Sequence, residues 1–192
     1  MNRIELPKTC GVGFKEWSGV CDALAGGAQI LILRKGGIAE GPGGFTPEHP
    51  FFWLYPTHVH EVQQGLRIEP PRTAPAPAPD EAAGIVAIRA LAAVETVRRI
   101  DREDDLDALE DFHVWTSETV HKRFRYRSPG LWALVVRVWS AARPTTLAAT
   151  PEQLGCKTWV ELDPPLPTPG LAPALDDEAW RRRREALPAV LQ

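Results

Sequence analysis

Apolar positions change their period several times along the chain, and each change marks an element. Phe14, Trp17, Val20, Cys21 and Leu24 recur at steps of three and four, one face of a helix, and Gly26 with Gly27 supplies its C-terminal stop. The run AQILILRK that follows is rich in isoleucine and leucine, which predicts a buried strand, and Gly36 with Gly37 permits a tight reversal after it. A second strand, FFWLYP, opens at Phe51 and stops at Pro56. On this reading the glycine-rich segment connects two paired strands.

Further along, EPPRTAPAPAPD places five prolines in twelve residues and predicts an exposed, extended loop over 69–80. In GIVAIRALAAVETVRRI, recurring Val, Ile and Thr predict one long strand, and the acidic run after it opens a short helix over 104–110. Thr116 is placed to cap the helix SETVHKRFR, with Trp115 and Val120 set as a hydrophobic staple. LWALVVRVW and KTWVELD read as strands, the second ended by DPPLPTPGLAP. From Asp176 a short helix, EAWRRRREAL, is predicted, either docked or solvated. Without regular strand–helix alternation these elements predict an α+β fold: a mainly antiparallel curved sheet or partly open barrel with a few short helices. The expected layout is one domain over 1–163, containing the 69–80 loop, followed by a proline-rich segment and helical tail over 164–192.

Composition narrows the class. With 192 residues, 44% hydrophobic and 24% charged, the chain is of ordinary globular make-up and long enough to bury a core. Cys10, Cys21 and Cys156 form no C-x-x-C pair and cannot all pair with one another, so a reducing cytoplasmic location is expected. The N-terminus lacks an apolar leader core and no run reaches the roughly 18 apolar residues of a membrane span, so neither secretion nor a membrane partner is expected. A net charge of −3 argues against a protein that coats nucleic acid by global charge. The charge is polarised, however: residues 101–111 hold seven acids against one arginine, while Lys122, Arg123, Arg125 and Arg127 follow closely.

Several stretches offer chemistry. Arg34, Lys35, Gly36 and Gly37 put two cations beside bare backbone amides, an arrangement that suits a phosphate or carboxylate but equally a glycine hairpin with solvated cations. The Walker pattern is absent. His58 and His60 share one face of an extended segment, with Glu61 next and His49 within reach through strand pairing. No third ligand stands at a diagnostic spacing, so no metal is assigned. His60 is also a candidate general base. Cys156 beside Lys157 is either an activated thiol or a small residue entering a strand. HKRFRYR interleaves Lys122, Arg123, Arg125 and Arg127 with Phe124 and Tyr126, which suits phosphates and stacked bases, or a solvated helical face balancing the acidic run. Neither a restriction-nuclease metal motif nor G-x-S-x-G is present. The candidate polar site is therefore Arg34, Lys35, Gly36, Gly37, Glu40, Tyr55, Thr57 and His60, with no cofactor indicated.

The strings FKEW, CDAL, ILILRKGGIAE, GGF, FWLYPTHVHE, FHVWT, VVRVW and GCKTWVEL, in this order, resemble the bacterial family called domain of unknown function 1802 over Phe14 to Leu162. The resemblance implies no established activity. Members joined to Mrr-type restriction nuclease domains imply a role near DNA restriction, with nucleic acid or a restriction-system protein as partner. The matching positions are Lys15, Glu16, Trp17, Arg34, Lys35, Gly36, Gly37, Glu40, Tyr55, Pro56, Thr57, His60, Trp115, Thr116, Arg137, Cys156, Lys157 and Trp159. Three readings follow. The first is a nucleic-acid-associated binding module in which Arg34, Lys35 and the basic helix meet phosphate while Trp53, Tyr55 or Trp115 line a pocket. The second is a small hydrolytic or metal-assisted enzyme built on Arg34, Lys35, Glu40, His60 and Glu61. The third is a protein-interaction module using the tryptophans and proline-rich segments.

Overall fold

A computed structural model describes residues 4–35, 49–57, 65–67, 84–155 and 157–192, together with the backbone of 40–41 and 44–45. Gly36, Gly37, His58, His60, Glu61, Cys156, the 69–80 loop and the side chain of Glu40 lie outside the described residues.

The order of elements is β1 (Thr9–Trp17), α1 (Ser18–Ala25), β2 (Leu31–Arg34), β3 (Glu40–Gly41), β4 (Gly44–Phe45), β5 (Phe51–Thr57) and β6 (Ile85–Ile100). Two 3-10 turns, Glu103–Asp105 and Asp107–Phe112, lead to α2 (Ser117–Arg125), β7 (Leu131–Ala148), α3 (Pro151–Leu154), β8 (Trp159–Pro167), β9 (Ala172–Pro173) and α4 (Asp177–Glu185). The main sheet has the order β2-β7-β6-β5-β1-β8, with β9 added to β7. Its only parallel pair among these ladders is β1 with β5. The fold is α+β with a mostly antiparallel open sheet, as the patterning predicts. Register shifts at Ile88/Ala90 and Val94/Thr96 bend β6 against β7, and extra residues of this kind increase local twist.

Both faces of the sheet are covered. Phe52 and Leu54 of β5 join Phe14 in a core with α1, α2 and α4, while the alternate residues Trp53 and Tyr55 join Val160, Leu162 and Leu166 in a second core behind it. Trp180 of α4 is wholly buried in the first core, so the C-terminal helix is docked; Asp176 caps it, accepting from Ala179 N at 2.7 Å.

Three expectations are corrected. The first helix begins at Ser18, and Phe14 and Trp17 lie on β1. Pairing of β1 on both sides, with β5 and β8, overrides the helical spacing, and β8 packs closely on β1 at Gly13, where a Cβ would stand 2.8 Å from Val160. β2 and β5 are not partners, because β2 pairs with β7 at one edge while β5 lies between β6 and β1. The third concerns β8, which continues through Pro164 and Pro165 to Pro167; it is an outer strand whose missing N–H groups break no ladder on its open side. The long strand β6, the bounds of α2 and the Thr116 cap follow the sequence reading: Thr116 Oγ1 accepts from Thr119 N at 3.3 Å.

Candidate nucleic-acid interface

Alternation along β2 sends its last cation inward and the next residue outward. Arg34 reaches from one outer strand toward the other: Nη1 donates to Lys15 O at 3.2 Å and to Glu16 Oε2 at 3.3 Å on β1, and Nη2 donates to Thr158 Oγ1 at 2.9 Å just before β8. Glu16 is only 1% exposed, and its second oxygen accepts from Trp17 N at 2.9 Å. A buried carboxylate needs such partners to stay charged. Arg34 thereby bridges the gap between the sheet's two edges.

Lys35 leaves on the other side. Its Nζ donates to Phe124 O at 2.7 Å, to Gly130 O at 2.9 Å and also to Ser128 O. These are carbonyls at the C-terminal end of α2 and in the turn beyond, where the helix dipole is negative and the backbone lacks donors. Arg99 adds a bond from Nη2 to Pro129 O at 3.2 Å. Gly130 takes φ of 122°, and a Cβ there would run into the Arg99 guanidinium. Desolvation, and secondarily the nearby Arg99 charge, lowers the Lys35 pKa. Two cations thus hold the 126–130 turn from beneath.

The basic helix divides its charges. Val120 and Phe124 face the core. Arg123 lies over Trp17, with Cζ 3.9 Å from the ring centre, and 5.1 Å from the centre of buried Trp115; its Nη1 donates to Leu33 O at 3.3 Å. Burial is the main cause that brings its pKa down to about 10, partly offset by Glu16. His121 sits between two acids, Nδ1 2.7 Å from Glu103 and Nε2 3.2 Å from Asp107, and Arg125 also reaches Glu103 at 2.7 Å. The hydrogen bond to Glu103 is the largest cause raising the His121 pKa, and the same bond lowers that of Glu103. Because the acids bind opposite ring nitrogens they do not converge on one point, and among the described residues no cluster fit for a metal ion is found.

What remains outward is Lys122, Tyr126 and Arg127. Tyr126 is 57% exposed, and the Arg127 guanidinium stands 5.1 Å from its ring centre. Arg127 has φ of 61°, the one positive value for a non-glycine residue among those described. Of the residues singled out from sequence, Arg34, Lys35 and Arg123 are therefore gathered at the junction of β1, β2 and α2, but each is bound to protein groups. Tyr55 lies buried in the second core and Thr57 ends β5 opposite Trp17. Trp53 is buried with its indole N–H donated to Cys10 O at 3.1 Å, so it packs rather than lining an open surface. Glu16, Trp17, Thr158 and Tyr126 were not in the candidate polar site. The FKEW string carried a signal for the first two, whereas nothing in a single sequence marks Tyr126 as exposed.

A family model described as domain of unknown function (DUF1802) matches residues 13–186. The chain belongs to that family. The match reaches 24 residues past Leu162 (186 less 162) and so takes in α4 and its buried Trp180. No curated protein matches the sequence. Among solved structures, the ASCH protein of Zymomonas mobilis is similar at 13% identity over 92% of this chain and 94% of that one, with a TM-score of 0.45. A serine-to-alanine mutant of the same protein is similar at 14% identity over 95% and 100% of the two chains, with a TM-score of 0.43. No described helix of this DUF1802 chain is long and apolar enough to cross a membrane.

Proposed function

We propose that this DUF1802 chain is a nucleic-acid-binding module whose contact surface is the C-terminal end of α2. The observation that carries the reading is the exposed Tyr126 ring with the Arg127 guanidinium beside it and Lys122 exposed on the preceding turn. An exposed aromatic ring offers a base a stacking partner, and neighbouring cations replace the counterions of the phosphates on either side. The left-handed backbone at Arg127 costs about 1 kcal/mol, and conformations of this kind persist where the surroundings enforce them. Here Lys35 and Arg99 do so, by tying down the carbonyls of 128–130.

Stacking needs an unpaired base, which favours single strands, displaced strands or strand ends over intact duplex. The family's association with restriction nuclease domains supports DNA as the polymer and a place beside restriction or processing. Anisotropy of labelled oligonucleotides tests this. Tyr126→Ala is expected to weaken binding by about 1–3 kcal/mol while Tyr126→Trp preserves it; equal affinity for all three proteins would overturn the reading.

A further inference from the structure

We propose that Arg123 and Arg34 form a second site, on the inner side of α2, that binds a phosphomonoester. Arg34 bonds the Glu16 carboxylate, which also accepts from the Trp17 amide, and the Arg123 guanidinium lies on the neighbouring Trp17 ring, where the Glu16 charge acts on it. Among the described residues two guanidiniums thus share one carboxylate, one positive charge in excess. The floor of the site is buried, with Glu16 1% and Trp115 0% exposed, while Arg123 and the Arg34 side chain, 19% exposed, reach the surface. Excess charge in such a setting is costly unless an anion joins it.

Arg123 is built to receive that anion. Trp17 and Trp115 fix the plane of its guanidinium, and of its five N–H groups one meets a protein acceptor among the described residues, the carbonyl of Leu33. The others are left in a planar fork that matches two phosphate oxygens. The Trp115 indole N–H, buried on the ring beneath Arg123, has no acceptor among the described residues either. A terminal phosphate carries roughly −1.5 to −2 charges at neutral pH, more than one cation balances, and Arg34, held on Glu16, is the second cation at hand. A carboxylate ligand would fill the fork but leave less charge for Arg34 to meet. The source is either a free phosphomonoester or the end of a strand.

The site does not depend on Tyr126, and its test is separable from that of the stacking surface. Inorganic phosphate is titrated into the labelled protein while arginine Nε–H and tryptophan indole resonances are followed, with sodium chloride matching the ionic strength. Saturable shifts at Arg123, Trp17 and Trp115, weakened about tenfold or more in Arg123→Lys and kept in Arg127→Ala, are expected. Arg123→Lys retains the charge, and Arg34→Lys provides a second probe should the first melt early. No saturable shift, or shifts unchanged by both lysine variants, would overturn the site. Oligonucleotides with and without a 5′-phosphate then separate the sources. Tighter binding of the phosphorylated strand, lost in Arg123→Lys, assigns a strand end; equal binding of the two strands, with inorganic phosphate still saturating, assigns a free phosphomonoester.

Discussion

Lys35 Nζ lies 2.7 Å from the carbonyl oxygen of Phe124, at the end of the helix that presents Lys122 outward and is followed by exposed Tyr126. A cation just past the end of β2 therefore caps a helix 89 residues further along the chain. This makes Lys35 a positioning residue for the turn at 126–130.

Replacing it with Met keeps the stem and removes the three donors. Lys35→Met is expected to cost about 1–2 kcal/mol, the worth of charge-assisted bonds at a partly exposed site, and to speed amide exchange across 126–130. Urea denaturation and hydrogen exchange check both. Strand affinity should fall without change in the slope against log salt, because Lys35 orders the surface without touching phosphate. A slope reduced by about one would instead make Lys35 a direct phosphate contact.

Glu16 anchors the other cation. Removing one partner of a buried ion pair strands the remaining charge, so Glu16→Ala is expected to destabilise by roughly 3 kcal/mol, and Arg34→Met somewhat less because the arginine is partly exposed. If the pair is what bridges the sheet's edges, the loss shows in protection of β1 and β2 amides as well as in the denaturation midpoint.

Two histidines give opposite pH dependences. His113 is 3% exposed, and burial, followed by the charge of Arg67, pushes its pKa from 6.5 down to about 4. A folded value below the unfolded one means stability present above pH 6.5 and lost as pH falls toward 4, on the order of 3 kcal/mol over that window. His121 has a raised value, so its contribution is present below its unfolded pKa and fades as pH rises through the folded one. Melts from acid to mildly alkaline pH should show His113→Leu flattening the acid limb. His121→Gln should destabilise at about pH 6 and act little at about pH 8.5.

Much of the fold was legible because its signals are local. The Thr116 cap, the bounds of α2 and the length of β6 follow from residues within one or two turns of each other. What was not legible depends on partners far away. Phe14 and Trp17 satisfy a helical spacing, yet β5 claims both from forty residues downstream, as Leu54 and Thr57, and β8 claims Phe14 from further still through Trp159. Arg34 and Lys35 stand out in the sequence as adjacent cations, but alternation of the backbone sends neighbours to opposite sides, one to Glu16 and the other to Phe124. The division of HKRFRYR into bound Arg123, paired Arg125 and outward Lys122, Tyr126 and Arg127 required the tertiary fold.

The most direct test of nucleic-acid binding at α2 is the anisotropy of one labelled strand, single or annealed to its complement, measured across a salt series with the wild type, Tyr126→Ala and Lys122→Ala/Arg127→Ala. Stacking at Tyr126 predicts tighter binding of the single strand, a large loss with Tyr126→Ala at unchanged slope, and a slope shallower by about one to two in the double variant. Binding that is absent at low salt, or that all three proteins share alike, would contradict it.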